Sequence, residues 1–238
     1  LNRNFHDFSQ TLPDNPAYRE LQPLLLPEQW PPSPENQAAT GEFIATRGMP
    51  AFQAAISRGQ HEFPDGMFFG GTAPTWSQQT LRTVLRQHAP GVKRLAWIDL
   101  HRPGPQRCGR ADLRLQGRRR GAAARPRLVG DEVTSIYDGS STSAFLTGLM
   151  WTSAYDEFPL AEYTGIAMEY GTQPMAEVMQ ALRGEHWLHL HPEAPPDLAR
   201  QIKQAMMDAF YTDTDAWKGQ IVSQARQAMC QAVEGLNS

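Results

Sequence analysis

Arg94-Leu95-Ala96-Trp97-Ile98-Asp99-Leu100-His101 is the stretch that decides the fold class. Its apolar character is nearly continuous, which suits a strand covered on both faces, the usual state of a central strand in an α/β sheet. The segment before it, residues 77–88, has helical periodicity, with Leu81, Val84 and Leu85 on one face. Further along, Tyr163-Thr164-Gly165-Ile166-Ala167-Met168-Glu169-Tyr170-Gly171 reads as a second buried strand closed by a glycine turn. Pro174 then opens a helix over 175–182. Strands alternating with helices predict an α/β fold, a mixed sheet sandwiched between helices.

The rest of the chain fits around these strands. Residues 6–34 are rich in proline and read as irregular, with one short helix over 17–25. Ser33-Pro34-Glu35 is an N-cap followed by proline at the first helical position, which predicts a helix through Arg47. A second helix covers 51–58 and ends near Gly59. Residues 63–74, turn-rich and aromatic, form a loop over a cleft. Residues 141–152 read as helical, and two amphipathic helices, 196–210 and 215–233, finish the chain. No internal repeat is visible.

The chain has 238 residues, 40 % of them hydrophobic and 20 % charged, which is enough for one substantial core or two small ones. No apolar run reaches the length of a membrane span. The opening residues carry no signal-peptide pattern and no initiator methionine, so the sequence reads as one partial domain over 1–238 of a longer protein. Cys108 and Cys230, far apart and without a second ligand at metal spacing, fit a reduced, cytoplasmic chain.

Charge is unevenly spread. Residues 102–127 hold nine of the 22 basic residues and one acid, Asp112, leaving 13 basic against 24 acidic groups elsewhere. A body of that sign is not expected to bind nucleic acid or anionic lipid. The segment itself is mostly Arg, Gly, Ala, Pro and Gln. That mixture reads as an irregular, out-of-frame translation of a GC-rich gene; a basic loop and a nucleic-acid patch are the competing readings.

Certain residue types in this chain fit zinc-peptidase chemistry. Such a site needs three protein ligands and an open coordination position. It also needs a carboxylate to move a proton from water to the leaving amine, and a fork that grips a carboxylate. A histidine ends one buried strand, at His101, and a carboxylate, Glu169, lies in the other, 68 residues later. Asp99, two residues before His101, points to the same strand face. Burying Glu169 would be costly without a purpose and would tend to raise its pKa, which is useful to a base.

Leu1-Asn2-Arg3-Asn4-Phe5 resembles the Asn-Arg-Asn element of the zinc carboxypeptidase superfamily. The strands ending Asp99-Leu100-His101 and Met168-Glu169-Tyr170-Gly171 are similar to those carrying that family's third ligand and its general base. Gly70-Gly71-Thr72-Ala73-Pro74-Thr75-Trp76-Ser77 and Glu169-Tyr170-Gly171-Thr172-Gln173-Pro174 resemble an uncharacterised bacterial branch of it, over the whole chain outside 102–127. The resemblance implies Asn2 and Arg3 as the substrate-carboxylate clamp, His101 as a zinc ligand and Glu169 as the base. It also implies zinc as cofactor and a peptide or small amide with a free carboxylate as substrate. The family's other two ligands come from a His-x-x-Glu motif upstream of Asn-Arg-Asn, so this chain by itself is expected to be inactive. A non-catalytic α/β binding module is the alternative.

Other residues offer weaker prospects. His189 and His191 would share a strand face as a metal pair, though Pro192 and Pro195 favour a surface segment. Asp213 and Asp215 read as N-caps. Tyr137 or Tyr155 could supply a phenol. Residues 140–143 lack the turn of a serine nucleophile.

Overall fold

The computed structural model describes residues 1–101, 112–115, 133–135 and 146–237, the two short internal stretches by backbone alone. These residues form a mixed α/β structure that divides into two compact units. One unit comprises Leu1–Thr80, Ala144–Met150 and Ala176–Asp208; the other comprises Leu81–Ser143, Trp151–Met175 and Ala209–Ser238.

The first unit is helical. Helices α1 (Pro16–Leu25), α2 (Pro34–Arg47) and α3 (Met49–Ser57) start where the sequence places capping residues and prolines. Asn15 accepts from the Tyr18 amide at 3.1 Å and Ser33 from the Asn36 amide at 3.3 Å, which satisfies orphan donors of each first turn. Tyr18, Leu21, Leu25, Phe52 and Ile56 are buried on the inner faces.

Helix α6 (Met175–Leu190) runs two turns past the end expected at 182. Gly184 lies inside the helix, and a Cβ at that position would lie 2.9 Å from the Trp30 ring. Arg183, 5 % exposed, donates to the carbonyls of Leu24 (2.7 Å) and Leu25 (3.1 Å). A cation there serves the open C-terminal end of α1. Helix α7 (Pro196–Phe210) follows.

The second unit holds the sheet. Strands β1 (Arg94–His101), β2 (Asp112–Leu115), β3 (Val133–Ser135) and β4 (Glu162–Glu169) lie in the order β1-β4-β2-β3. β1 and β4 are parallel, β2 is antiparallel to β4, and β3 is parallel to β2. β2 falls inside the stretch that reads as irregular in sequence.

β1 is therefore an edge among the described strands, not the central strand its apolar run suggests, and Leu100 is 56 % exposed. β4 is an interior strand, buried from Tyr163 to Glu169. Ile166, Met168 and Tyr170 pack with Ala228 of helix α8 (Asp215–Asn237), against Ile98, Trp217 and Ile221. The Trp217 indole donates to the Tyr170 carbonyl at 3.2 Å. Gly165 allows Tyr163 to lie along its own strand, since a Cβ there would come 2.5 Å from the Tyr163 hydroxyl.

Two lead-in helices are tied together beside these strands. α4 (Trp76–His88) precedes β1 and α5 (Ser153–Glu157) precedes β4. Arg82 and Arg86 of α4 both grip Glu157 of α5, at 2.9 and 2.6 Å. The helix expected over 141–152 is not observed in its described part: Met150–Thr152 forms a single 3₁₀ turn before α5. Residues 141–145 lie outside the described residues. Among the described residues no helix is long and apolar enough to cross a membrane.

Candidate active site

His101 and Glu169 are register partners at the C-terminal ends of parallel strands β1 and β4. The geometry follows from the sequence: both strands are eight residues long and paired in phase from Arg94–Glu162 onward, so their last residues coincide. The His101 Nδ1 lies 3.5 Å from the Asp99 carboxylate, as expected of residues two apart on one strand face. The His101 side chain remains 37 % accessible, whereas Glu169 is 6 % exposed. A half-open imidazole thus stands beside a buried carboxyl group at one end of the sheet.

The chemistry of this end suits proton transfer and ligation. Metal-ligating and proton-transferring imidazoles are commonly found beside a carboxylate, as His101 is beside Asp99. A carboxyl group at the adjoining strand end is placed to exchange a proton with a molecule bound there. Open sheets bind their ligands beyond the carboxyl ends of their strands.

Asn2 and Arg3 belong to the other unit. The Asn2 side-chain oxygen accepts from the Met150 amide at 2.9 Å. The Arg3 Nε donates to the Ser57 carbonyl at 2.6 Å, its Nη1 donates to the Asn2 carbonyl, and the guanidinium lies 5.6 Å from the Phe68 ring centre. Burial pushes its pKa down to about 10, because desolvation penalises the charged form.

Asn4, the third member of the same triplet, was given no role on sequence grounds, yet it is the best-connected of the three. Its amide donates to Gly70 and Ala73 carbonyls at 2.8 and 3.0 Å and accepts from the Thr75 amide and hydroxyl. Its backbone carbonyl accepts from Gln78 at 3.0 Å. Asn4 therefore fixes the glycine-rich loop that the sequence marked as covering a cleft. Its signal was the Asn-Arg-Asn element itself.

A second imidazole pair was also missed. The His6 and His61 rings meet edge to face at 5.1 Å, and His61 Nδ1 lies 2.7 Å from the Gly71 carbonyl. Burial, and then the charge of His61, pull the His6 pKa down.

The weaker sequence prospects separate. His186 and His189 lie on helix α6, not on a strand, with ring centres 6.4 Å apart. His191 stacks on Trp187 at 4.1 Å and so does not pair with His189 as a strand would require. Thr214, not Asp213 or Asp215, caps α8, accepting from the Trp217 amide at 3.3 Å, while Asp213 pairs with Lys218. Tyr155 packs edge to face on Tyr163 at 4.8 Å. Cys230 is an exposed free thiol. Cys108, Tyr137, residues 140–143 and the basic side chains of 102–127 lie outside the described residues.

Among the described residues no group of three His, Cys, Asp or Glu is gathered to hold a metal ion. Imidazole is a donor type that suits zinc, and His101 is the histidine at the sheet end.

These features define a mixed α/β protein with an imidazole–carboxyl pair at the end of its sheet. The chain matches, over residues 1–224, the model of the family described as protein of unknown function (DUF2817), and it belongs to that family. Comparison with curated proteins and with solved structures gave no match.

Proposed function

We propose that this chain is the C-terminal part of a zinc-dependent, metallocarboxypeptidase-like hydrolase that cleaves an amide or peptide bond next to a free carboxylate. The observation carrying the reading is the in-register pairing of His101 with Glu169 on adjoining parallel strands. The resemblance of Asn2-Arg3-Asn4, of both strand ends and of the loop over 70–77 supports it, as does the mixed α/β architecture.

In this reading His101 is one of three zinc ligands. The other two come from a His-x-x-Glu motif upstream of the Asn-Arg-Asn element, because an open catalytic site takes three protein ligands. Zinc, when bound, acidifies water and polarises the scissile carbonyl. Glu169 accepts the water's proton and returns it to the leaving amine. The resemblance gives Asn2 and Arg3 the substrate carboxylate; within their own unit, Phe68 and Ser57 hold the Arg3 guanidinium.

The test is release of the terminal amino acid from N-acylated dipeptides by the protein carrying its upstream His-x-x-Glu. Glu169→Gln is expected to lower kcat by at least about 10²-fold, the scale of general-base catalysis, with zinc retained. Undiminished turnover in Glu169→Gln would overturn the assignment. A binding module is the second reading. It is favoured by Arg3 spending Nε and Nη1 on carbonyls of its own unit, and it predicts carboxylate binding with no turnover in any variant.

A further inference from the structure

His186 and His189 take no part in the chemistry above. The sequence paired His189 with His191 on a strand; folding pairs it instead with His186. Helix α6 places residues three apart on one side, and burial of Trp187, 6 % exposed, fixes which side faces out. The two rings stand 6.4 Å apart between centres, at 53° to each other.

One contact decides what these rings can do. His186 Nε2 lies 2.8 Å from the Asp65 carbonyl oxygen. A carbonyl only accepts, so Nε2 carries the proton and Nδ1 keeps its lone pair. This is how metal-ligating imidazoles are oriented: one nitrogen donates to a carbonyl or carboxylate, and the other faces the ion.

Both rings line one cleft of about 320 Å³, together with Glu185, Met67, Phe68 and Leu182. The floor is held in shape. Phe68 has φ 53°, in the left-handed region that bulky residues enter only when their surroundings enforce it. Its carbonyl accepts from the Gln60 amide at 3.3 Å, and Arg3 packs on its ring. Glu185 is engaged by Lys203, so its carboxylate is not counted as a ligand.

We infer that His186 and His189 form a two-imidazole site for a borderline divalent transition ion, Zn²⁺, Ni²⁺ or Cu²⁺. Imidazole nitrogens select these ions over Mg²⁺ and Ca²⁺, which take oxygen. Two side chains supply two positions, and water fills the rest, so the ion exchanges readily. Sharing one ion requires the exposed His189 ring to turn toward His186 Nδ1. The inference does not depend on the role assigned to His101.

The experiment is titration of the full chain with Ni²⁺, and separately Zn²⁺, by equilibrium dialysis. The comparison includes His186→Ala, His189→Ala, His191→Ala and His101→Ala. Binding of one exchangeable ion should weaken at least about tenfold in the first two and stay unchanged in His191→Ala. Nitrogen-resolved imidazole spectra should show the ion at His186 Nδ1, with Nε2 still protonated. Equal affinity in His189→Ala, or loss confined to His101→Ala, would overturn the site. Failure of the peptidase assay with this pattern intact would sink the peptidase reading alone.

Discussion

Strands β1 and β4 are neighbours of equal length with similar apolar runs, yet one is an edge and the other an interior strand. β4 is covered along seven residues and delivers its terminal carboxyl group into burial. β1 is only half-buried, with Ile98 packed on the cluster that includes Ala228 of α8, and delivers an accessible imidazole. Hydrophobicity sets which segments become strands, while position in the sheet sets how much each residue is worth. It also divides the labour at the site: the reachable strand end suits ligation, and the enclosed one suits a proton acceptor.

The sharpest way to break this comparison is to truncate each strand. Ile166→Ala should cost about 2–5 kcal/mol, because the 3 %-exposed side chain leaves a cavity. Leu100→Ala should change stability by less than about 0.5 kcal/mol. Urea denaturation of both variants measures the contrast, and comparable losses would mean that β1 is buried as deeply as β4.

A smaller effect concerns the tie between the helices that lead into the two strands. Burial pushes the Glu157 carboxyl up in pKa, but hydrogen bonds and charges from Arg86 and Arg82 outweigh it and hold the group below its ordinary value. A carboxyl with a depressed folded-state pKa contributes stability above its unfolded pKa, and that contribution is lost as pH falls through the folded value. Glu157→Gln should therefore lose about 1–3 kcal/mol near neutrality. It should also flatten the acid limb of stability against pH below the usual carboxylate range, which thermal melts across pH 2–7 would show.

The smallest effect separates the two units by their titrations. His6, with its pKa lowered, is neutral in the fold, so its contribution is present above the unfolded value and lost as pH falls through the folded one. In the helical unit, protection from amide exchange should decline as pH drops from about 7 to 5, the range where an ordinary imidazole charges. The sheet unit should hold until carboxylates titrate. His6→Gln should remove the first decline and leave the second; an unchanged first decline would place it elsewhere.

Much of this was legible in the sequence, for identifiable reasons. β1 spans the residues its apolar run marked, and α2 begins at the Ser33–Pro34 cap. The pairing of His101 with Glu169 could be anticipated because each closes a strand, and strand ends converge in a parallel pair. The exposure of Leu100 could not, since an edge strand and a central one share the same apolar run until a neighbour covers them. The full length of α6 was not legible, because the Trp30 ring that lies against Gly184 is far away in the chain. Asn4 escaped notice because its partners lie about seventy residues away in the chain, beyond the reach of any spacing rule.

Zinc content after exhaustive dialysis, in a chain extended upstream to include the His-x-x-Glu motif that the proposal calls for, tests the proposed assignment most directly. The account predicts one firmly held zinc per chain in the wild type and none in His101→Ala, with the fold intact by circular dichroism. Zinc held as firmly by His101→Ala as by the wild type would contradict it.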